Sequence, residues 1–437
     1  MQINGKKARV LAFVSAVGLM VIGCQTKTPV DVKAVDVEVE PKQEPADIKK
    51  ISELTVKLQK KRKLFPPQNG EVLRGVHPKS HGCVDATFTV NKGIGGDYRV
   101  GLFKYPGTYR AKIRYSNASV LELRDLEGGN GSRGMAIKVL GVNGPIMLAD
   151  GGARNQDFLM VNTPEFAFAN VRDYLRLTRA LMKHPVGADP NPYFIPAKLF
   201  GLGLMDIAGN LKPPVDDDPR ETEKGGKQLR EGLKLFASVF KGFTPEDMTG
   251  TLQSIAAVKN IKSKTVRNPL EVQYFSASPF RYGPDRVMKF SVAPVDGEKT
   301  QPKFSPEEME NVDANYLAKA LEKTMAKGES IHLSFKVQVI KASDLKTYGK
   351  ELIENAAKAW DKKQYPSVEF TTVEVAKIEI KPVNVEKSKK LVDACKSLLF
   401  TPWHALAAHE PLGGINRLRK PVYSKSAEHR RNAANAY

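Results

Sequence analysis

The stretch Arg74-Gly75-Val76-His77-Pro78-Lys79-Ser80-His81-Gly82 opens the part of the chain whose pattern decides the fold. From residue 84 to residue 165, apolar and polar side chains alternate in short runs that are separated by glycine-rich turns. The clearest runs are Ala86 to Val90, Tyr109 to Tyr115 and Met135 to Leu140. Alternation with a period of two is typical of strands that bury one face. This region is therefore predicted to form strands joined by tight turns.

Helical patterns flank and interrupt the predicted strands. The predicted helices lie at Ile51 to Arg62, within residues 168 to 260, after the capping box Ser305-Pro306-Glu307-Glu308, and from Leu345 to Trp360. Gly328 is expected to end the helix that begins after Ser305. Further alternating runs occur at Arg286 to Ala293, Ile331 to Ile340 and Glu369 to Ile380. The predicted fold class is α+β, an antiparallel sheet or barrel with inserted and C-terminal helices.

A second informative stretch, Asn416-Arg417-Leu418-Arg419-Lys420-Pro421-Val422-Tyr423, lies near the C-terminus. On a helix, positions i and i+4 share one face, so Arg419 would lie behind the Tyr423 phenol. A cation in that place favours the phenolate over the phenol. A tyrosinate is one of the ligands that proteins offer to haem iron. Taken alone, however, the stretch favours an exposed basic helix that carries a tyrosine by chance.

Several further motifs occur in one order along the chain. The stretch from Arg74 to Gly82, as Arg-x-x-His-x-Lys-x-x-Gly, resembles the distal-histidine motif of haem catalases. In the order of that family, Arg114-Tyr115-Ser116 resembles its Arg-Phe-Ser strand. Arg133-Gly134-Met135-Ala136-Ile137-Lys138 resembles its Arg-Gly-Phe-Ala-x-Lys segment. Asp157-Phe158-Leu159 and Asn162-Thr163-Pro164 are similar to the block that precedes the pocket phenylalanine.

The later half of the chain resembles the shorter, divergent catalase-related proteins. The segments that carry this likeness are Asn268-Pro269-Leu270-Glu271, Ser278-Pro279-Phe280-Arg281-Tyr282-Gly283, Lys289-Phe290-Ser291, Phe400-Thr401-Pro402-Trp403-His404-Ala405-Leu406 and His409-Glu410-Pro411-Leu412-Gly413-Gly414-Ile415-Asn416. The resemblance covers residues 65 to 431. It implies a catalase-like antiparallel β-barrel with haem b as cofactor.

The resemblance also implies roles for individual residues. Tyr423 would be the axial ligand of the haem iron, and Arg419 would favour its ionised form. His77 would move a proton between the two oxygens of a peroxide, which is work suited to an imidazole. Ser116 would hydrogen-bond His77 and fix the orientation of its ring.

Other residues would surround the haem. Three arginines would pair with its propionates: Arg74, Arg114 and Arg430. Phe166 matches the pocket aromatic of the family, and Tyr174 is a weaker match for a second one. His81, His404 and His409 lack the spacing of metal ligands and are expected to be packing or solvent residues.

One departure from the family concerns the distal pocket. Catalases carry two asparagines before Thr-Pro, and the first is the partner of the distal histidine. The ungapped match places Val161 first and Asn162 second, whereas a one-residue shift would bring Asn162 into place as a catalytic residue. If Val161 faces the iron, the loss of one preorganised donor costs about 10²- to 10³-fold in rate. An organic or lipid hydroperoxide then becomes the more suitable substrate.

The N-terminus has the pattern of an export signal. Three basic residues, Lys6, Lys7 and Arg9, precede an apolar run from Val10 to Ile22 that is short for a membrane span. Val21-Ile22-Gly23-Cys24 resembles a bacterial lipobox, which implies cleavage before Cys24 and acylation of that cysteine. An ordinary secretory signal followed by a chance cysteine is the alternative.

These features divide the chain into three parts. We expect a lipoprotein signal peptide at residues 1–23, a flexible tether at 24–48 and a haem domain at 49–437. In a bacterium with two membranes, the Gln25 that follows the cysteine favours the outer membrane, facing the periplasm. Cys83 and Cys395 would then either pair or remain buried thiols.

The net charge of +20 raises the question of whether the protein has an anionic partner. No basic helix with interleaved aromatic residues and no nucleic-acid motif is visible, so nucleic acid is not an expected partner. Attraction to anionic membrane or wall surfaces and a high pI without a partner both remain open.

The function expected from the sequence is that of a haem-dependent peroxidase or weak catalase at the cell envelope. Its substrate would be hydrogen peroxide or a lipid hydroperoxide. One alternative in the same fold is a hydroperoxide-rearranging enzyme similar to allene oxide synthase. Two others are a non-catalytic haem-binding lipoprotein and a structural envelope lipoprotein that has lost haem.

Overall fold

The structure is a computed structural model that describes residues 42–61, 73–118, 124–126, 132–149, 152–183, 250, 253–254, 256–257, 260–261 and 263–434. The predicted signal peptide, Cys24 and most of the predicted tether lie outside these residues. None of the described helices is both long and apolar enough to cross a membrane.

The described strands form one antiparallel sheet that closes on itself. They are β1 (Ser80–Val90), β2 (Gly107–Asn117), β3 (Arg133–Leu140), β4 (Asn155–Val161), β5 (Tyr274–Phe275), β6 (Phe280–Arg281), β7 (Arg286–Pro294), β8 (Ile331–Lys341) and β9 (Thr371–Ile380). The strand order is β5-β4-β3-β2-β1-β9-β8-β7, and β5 also pairs with β7. Pairing of the two ends produces an eight-stranded barrel, while β6 adds to the outside of β7. The predicted α+β class with an antiparallel barrel is confirmed.

The interior of the barrel is filled by its own side chains. Phe158 stands near its centre, with ring centroids 4.7 Å from Phe335 and 5.0 Å from Phe290. Eight strands enclose a space that side chains can fill completely.

Helices cover part of the outer surface. They are α1 (Glu44–Lys61), α2 (Val171–Lys183), α3 (Pro306–Asn311), α4 (Tyr316–Met325), α5 (Ala342–Glu354), α6 (Val385–Ser397) and α7 (Gly414–Ala434). The C-terminal helix α7 packs against α1 and α2 through buried aliphatic side chains: Ile51, Leu54, Val171, Leu175, Leu418 and Val422.

Charged groups reinforce the packing of α1 on α7. Arg417 Nε lies 2.5 Å from Glu44 Oε1, and Arg417 Nη2 lies 2.8 Å from Glu354 Oε2. Glu44 is buried, so helix α1 belongs to the folded domain from its first residue. It begins at Glu44, inside the segment that the sequence predicted to be a tether.

Two further predicted helices differ from the observed ones in length. The capping box at Ser305 is present, but the helix after it ends at Asn311 and a separate helix begins at Tyr316. Asp313 Oδ1 accepts a hydrogen bond from the backbone N–H of Asn315 at 2.8 Å, and such local bonding competes with helix continuation. Helix α5 likewise ends at Glu354, before the predicted Trp360.

Helix α6 was not predicted, and it is tied to the barrel by a covalent bond. Cys395 near its end forms a disulfide with Cys83 of β1, with the two Cα atoms 6.3 Å apart. That separation lies within the usual range for disulfides. The bond holds the C-terminal end of α6 against the outer surface of the barrel.

Candidate functional site

A cavity of about 620 Å³, part of it open to solvent, lies between the outer surface of the barrel and helix α7. The lining residues are Arg74, Val76, His77, Arg114, Ser116, Gly134, Met135, Ala136, Leu159, Met160, Val161, Leu399, Phe400, Arg419, Tyr423, Ser426 and Arg430.

The barrel wall of the cavity follows from strand alternation. On β2, Ile113 and Tyr115 point into the core, so Arg114 and Ser116 occupy the outer face. On β4, Phe158 and Met160 belong to the core. Leu159 and Val161 of β4 therefore extend the outer wall that begins at β2.

His77 is held in an unusual backbone conformation beside this wall. Its φ of 53° is left-handed, which is uncommon for a residue other than glycine. Arg114 Nη2 donates to the His77 carbonyl at 2.9 Å and to the Pro78 carbonyl at 3.2 Å. These two hydrogen bonds stabilise the turn that carries the histidine.

The imidazole ring has a defined place as well. His77 Nδ1 lies 3.2 Å from Ser116 Oγ, so the predicted hydrogen bond is present. A Cβ atom on Gly134 would stand 2.5 Å from Nδ1, closer than real Cβ contacts allow. The absence of a side chain at Gly134 therefore makes room for the ring.

The surroundings keep His77 uncharged. Withdrawal from bulk water lowers the pKa of His77 to about 3, and the positive charges of Arg114, Arg419 and Arg74 act in the same direction. The backbone of Asn117 opposes this shift. A neutral imidazole at neutral pH can accept a proton, which is the state that a general base requires.

Tyr423 reaches the cavity from the opposite side, on α7. It is half-buried and packs against the cluster of Leu159, Phe400 and the Cys83–Cys395 disulfide. Arg419, one turn earlier on the same helix, also lines the cavity. The sequence prediction that these two side chains share a face of the helix agrees with their placement.

Arg419 is buried and bonded to neutral groups. Its Nη1 donates to Ser278 Oγ at 2.9 Å and to Asn416 Oδ1 at 3.1 Å. Burial lowers the pKa of Arg419, while the charge of an ionised Tyr423 or Tyr174 would raise it. The tyrosine and the arginine are therefore electrostatically coupled.

Arg114 is in a similar position. Burial and, to a smaller extent, the nearby charge of Arg430 lower the pKa of Arg114 to about 10. Within the part of the chain that the structure describes, neither Arg114 nor Arg419 has a carboxylate partner. Buried charges without counter-charges are costly, so an anion in the cavity would be stabilised strongly.

The other two predicted propionate ligands contact the end of α6. Arg74 Nη2 donates to the carbonyls of Cys395 at 2.9 Å and Leu398 at 2.6 Å. Arg430 Nη1 donates to the Lys396 carbonyl at 2.7 Å. Both arginines also line the cavity, so they stand at its rim between the helix end and the interior.

Asn162 does not take the place that was predicted for it. It lies beyond the last residue of β4 and is not among the residues that line the cavity. Its Oδ1 accepts a hydrogen bond from the backbone N–H of Arg133 at 2.7 Å. Since Val161 shares the outer face with Leu159, Val161 lines the cavity instead. A catalytic role for Asn162 stays a prediction, which its position outside the cavity lining does not favour.

Phe166 stands behind the cavity rather than in its wall. The guanidinium group of Arg419 lies over the Phe166 ring, with Cζ 5.0 Å from the ring centroid, as a cation–π pair. Tyr174 contacts Phe168, with ring centroids 4.5 Å apart. Both aromatics therefore support Arg419 and α2 and do not line the cavity.

The part of the wall that follows α6 was not predicted from the sequence. Leu399 and Phe400 line the cavity, and Thr401 N donates to the buried Asp157 Oδ2 at 3.1 Å. A signal for α6 existed. Asn384 caps the helix by accepting from Lys387 N at 2.8 Å, and the buried residues Ser388, Leu391 and Cys395 follow at helical spacing.

No family model matches the chain, and no curated protein sequence matches it. Solved structures do. A fungal catalase aligns with a TM-score of 0.52 and 16% identity over 84% of this chain and 61% of its own. A bacterial catalase aligns with a TM-score of 0.54 and 14% identity over 83% of this chain and 58% of its own. Catalase A from Saccharomyces cerevisiae aligns with a TM-score of 0.55 and 14% identity over 83% of this chain and 62% of its own. The chain has a catalase-like fold.

Identity this low makes the likeness one of fold alone. The chain spans about three-fifths of the length of these catalases, at 58% to 62%. The catalase-like barrel of this chain is thus the scaffold on which its cavity, its disulfide and helix α6 are built. What the cavity does must be argued from its residues.

Proposed function

We propose that this protein is a haem-dependent peroxidase or weak catalase that acts on hydrogen peroxide or organic hydroperoxides at the cell envelope. One observation carries the proposal. A single cavity brings His77 and Tyr423 together with two buried guanidinium groups, those of Arg114 and Arg419. Neither group has a carboxylate partner in the described residues, and an anionic ligand would supply the missing counter-charge.

The residues of the cavity fit haem b. Tyr423 would supply a phenolate oxygen to the iron, and Arg419 lines the same cavity one turn earlier on α7. The propionates suit the guanidinium groups of Arg74, Arg114 and Arg430, since planar donors pair well with carboxylates. The apolar side chains of the wall suit the faces of a porphyrin ring.

A bound haem would supply an iron that holds the peroxide and promotes heterolysis of its O–O bond. His77 would move the proton. In the tautomer whose Nδ1–H donates to Ser116 Oγ, Nε2 would be the ring atom that accepts the proton from the peroxide and returns it to the departing oxygen. The lowered pKa of His77 keeps its imidazole neutral, so the ring can accept a proton. Arg114 binds the His77 carbonyl, and Gly134 leaves space for the ring.

Val161 supports an organic hydroperoxide over hydrogen peroxide as the better substrate. It presents two methyl groups to the cavity and no hydrogen-bond donor to a peroxide oxygen. The same observation favours a second candidate function, the rearrangement of a fatty-acid hydroperoxide without an external reductant. In both reactions an apolar wall would receive the carbon chain of the substrate.

The location at the envelope is part of the proposal. The Cys83–Cys395 disulfide supports an oxidising compartment, since such bonds are rare where thiols are kept reduced. The net charge of +20 supports attraction to anionic surfaces. Anchoring through acylated Cys24 would hold the enzyme close to the lipid peroxides of a membrane.

Three assays of haem-loaded protein test this proposal. Oxygen release from hydrogen peroxide alone measures dismutation, and oxidation of a phenol or dye with added peroxide measures peroxidation. Consumption of a fatty-acid hydroperoxide without any reductant measures rearrangement. We expect peroxidation to exceed dismutation, and faster turnover with an organic hydroperoxide. Protein that carries haem but is inactive in all three assays would be a haem carrier, and the enzymatic proposal would fail.

A further inference from the structure

The end of helix α6 stands where an anionic ligand would meet the rim of the cavity. Its last carbonyl oxygens, those of Cys395, Lys396 and Leu398, accept hydrogen bonds from Arg74 and Arg430. The two arginines come from distant parts of the chain, and both line the cavity. The helix end therefore sets the direction in which two guanidinium groups point.

The helix end is itself fixed by the disulfide. Cys395 is buried and bonded to Cys83, which pairs with Arg114 across strands β1 and β2. Residues that pair in this way lie on the same face of the sheet. The disulfide thus links the strand pair that carries Arg114 to the end of α6. The carbonyls at that helix end bind Arg74 and Arg430.

The chemistry of the helix end suits this role. The last carbonyls of a helix have no intrahelical partners and carry partial negative charge, so they attract cations. Arg74 and Arg430 both line the cavity, so the guanidinium groups held by these carbonyls also face the space that a ligand would occupy. An arginine that is fixed by these carbonyls is preorganised to bind a carboxylate in the cavity.

We propose that the Cys83–Cys395 disulfide and the C-terminal carbonyls of α6 are positioning elements, which orient Arg74 and Arg430 toward the carboxylates of the ligand. This inference rests on the proposed function, because the carboxylates are those of a haem. Without the disulfide, the helix end moves away from the barrel and the two arginines lose their fixed direction. The protein then retains a dicarboxylate porphyrin less well.

Two porphyrins separate this role from a merely structural one. Hemin carries two free carboxylates, whereas hemin dimethyl ester has the same iron and ring without those charges. Each is titrated into full-length apoprotein and followed by the absorption band of the bound form. In Cys83→Ser/Cys395→Ser we expect the Kd for hemin to rise about tenfold, the effect of one charged hydrogen bond. The Kd for the diester should change less than about twofold.

A matched control disturbs α6 at its other end. Asn384→Ala removes the N-cap of the same helix but leaves the disulfide and the carbonyls at residues 395, 396 and 398 in place. We expect the ratio of the two Kd values to stay at its wild-type level. Far-UV circular dichroism confirms folding of each variant, and Cys83→Ala/Cys395→Ala gives a second disulfide-free protein if the serine pair folds poorly.

The outcomes keep the two proposals apart. Equal weakening of hemin and its diester would mean that the disulfide acts through general stability, and positioning would be refuted. Unchanged affinity for both would refute it as well. If wild-type protein binds no hemin at all, the proposed function fails and this inference fails with it. Tight binding by wild type with no change in the variants would overturn only the inference.

Discussion

At the scale of single residues, His77 stands out because its backbone, its ring and its charge are all set by neighbours. Arg114 holds the carbonyl, Ser116 contacts Nδ1 and Gly134 leaves space for the ring. A histidine in an ordinary core needs none of these. The arrangement is costly in backbone strain, and such strain is concentrated at functional sites.

Replacement of His77 should separate catalysis from cofactor binding. In His77→Ala we expect turnover of peroxide to fall by about 10² to 10⁴, the contribution of a positioned acid–base group, while haem remains bound. Initial rates and the absorption spectrum of the same sample measure both. His332→Ala, on the exposed surface of β8, is the control and should keep wild-type rates. Unchanged turnover in His77→Ala would remove the histidine from the mechanism.

Val161 offers a gain-of-function experiment. Val161→Asn places an amide donor on the face of β4 that lines the cavity, at little cost in volume. Dismutation of hydrogen peroxide should rise at least about tenfold, since a preorganised donor in an active site is worth about 10²- to 10³-fold. Oxygen release measures the effect, and Val161→Ile serves as an apolar control. Dismutation that rises equally in both variants would show that the donor is not responsible.

At the scale of elements, helix α7 carries Tyr423, Arg419 and Arg430, so its attachment decides the geometry of the site. Apolar side chains and the Arg417 ion pairs fix it to α1 and α5. Pro421 lies within the helix and lacks an N–H, so it donates no backbone bond to Arg417. The tertiary contacts rather than the helix alone therefore stabilise this segment.

Loss of the Arg417 ion pairs should weaken the whole domain. Arg417→Ala leaves Glu44 and Glu354 close together and without their cation, which we expect to lower the free energy of unfolding by about 3 kcal/mol. Urea denaturation measures the change. Adding Glu44→Ala and Glu354→Ala to the same protein should restore part of the loss, because the uncompensated charges are then absent. A variant as stable as wild type would contradict this account of the helix attachment.

The sequence predicted the strands better than the helices. Long alternating runs such as Ile331 to Ile340 became β8, because one face of each strand is buried in a single core. The helix after Ser305 was interrupted by a local side-chain bond that periodicity does not reveal. Helix α6 was missed because its short apolar stripe contains a serine and a cysteine, which carry little weight in a hydrophobic pattern.

The candidate site was predictable only in part, for a similar reason. Motif order indicated that His77, Ser116, Arg419 and Tyr423 belong together, and they line one cavity. The choice between Val161 and Asn162 depended on where β4 ends, which the sequence does not determine within one residue. The contacts of Arg74 and Arg430 depended on α6, so they could not be predicted without that helix.

At the scale of the whole molecule, the closed barrel explains why the site lies on the outside. The interior is packed with aromatic rings, so the barrel provides a rigid wall and the helices complete the cavity. Such a core also buries titratable groups. His81 and His409 are almost completely buried, and burial lowers the pKa of His409 to about 4 and that of His81 well below its usual value.

These two histidines predict how stability depends on pH. The folded pKa values of both histidines lie below the unfolded value of 6.5. Between pH 6.5 and the folded pKa of each histidine, the unfolded state therefore binds more protons than the folded state. Their contribution to stability is present above pH 6.5 and is lost as the pH falls toward 4. The slope should reach about 1.4 kcal/mol per pH unit for each histidine. Thermal unfolding between pH 7 and pH 4.5 measures it, and a melting temperature that rises on acidification would contradict the prediction.

An absorption spectrum tests most directly the proposal that Tyr423 binds the iron of a haem held in this cavity. Apoprotein is mixed with hemin, and the visible spectrum of wild type is compared with those of Tyr423→Phe and of Tyr105→Phe, whose exposed ring is not among the residues that line the cavity. We predict one distinct haem spectrum shared by wild type and Tyr105→Phe, and its loss or displacement in Tyr423→Phe. Wild-type protein that stays colourless, or a spectrum that is identical in Tyr423→Phe, would contradict the claim.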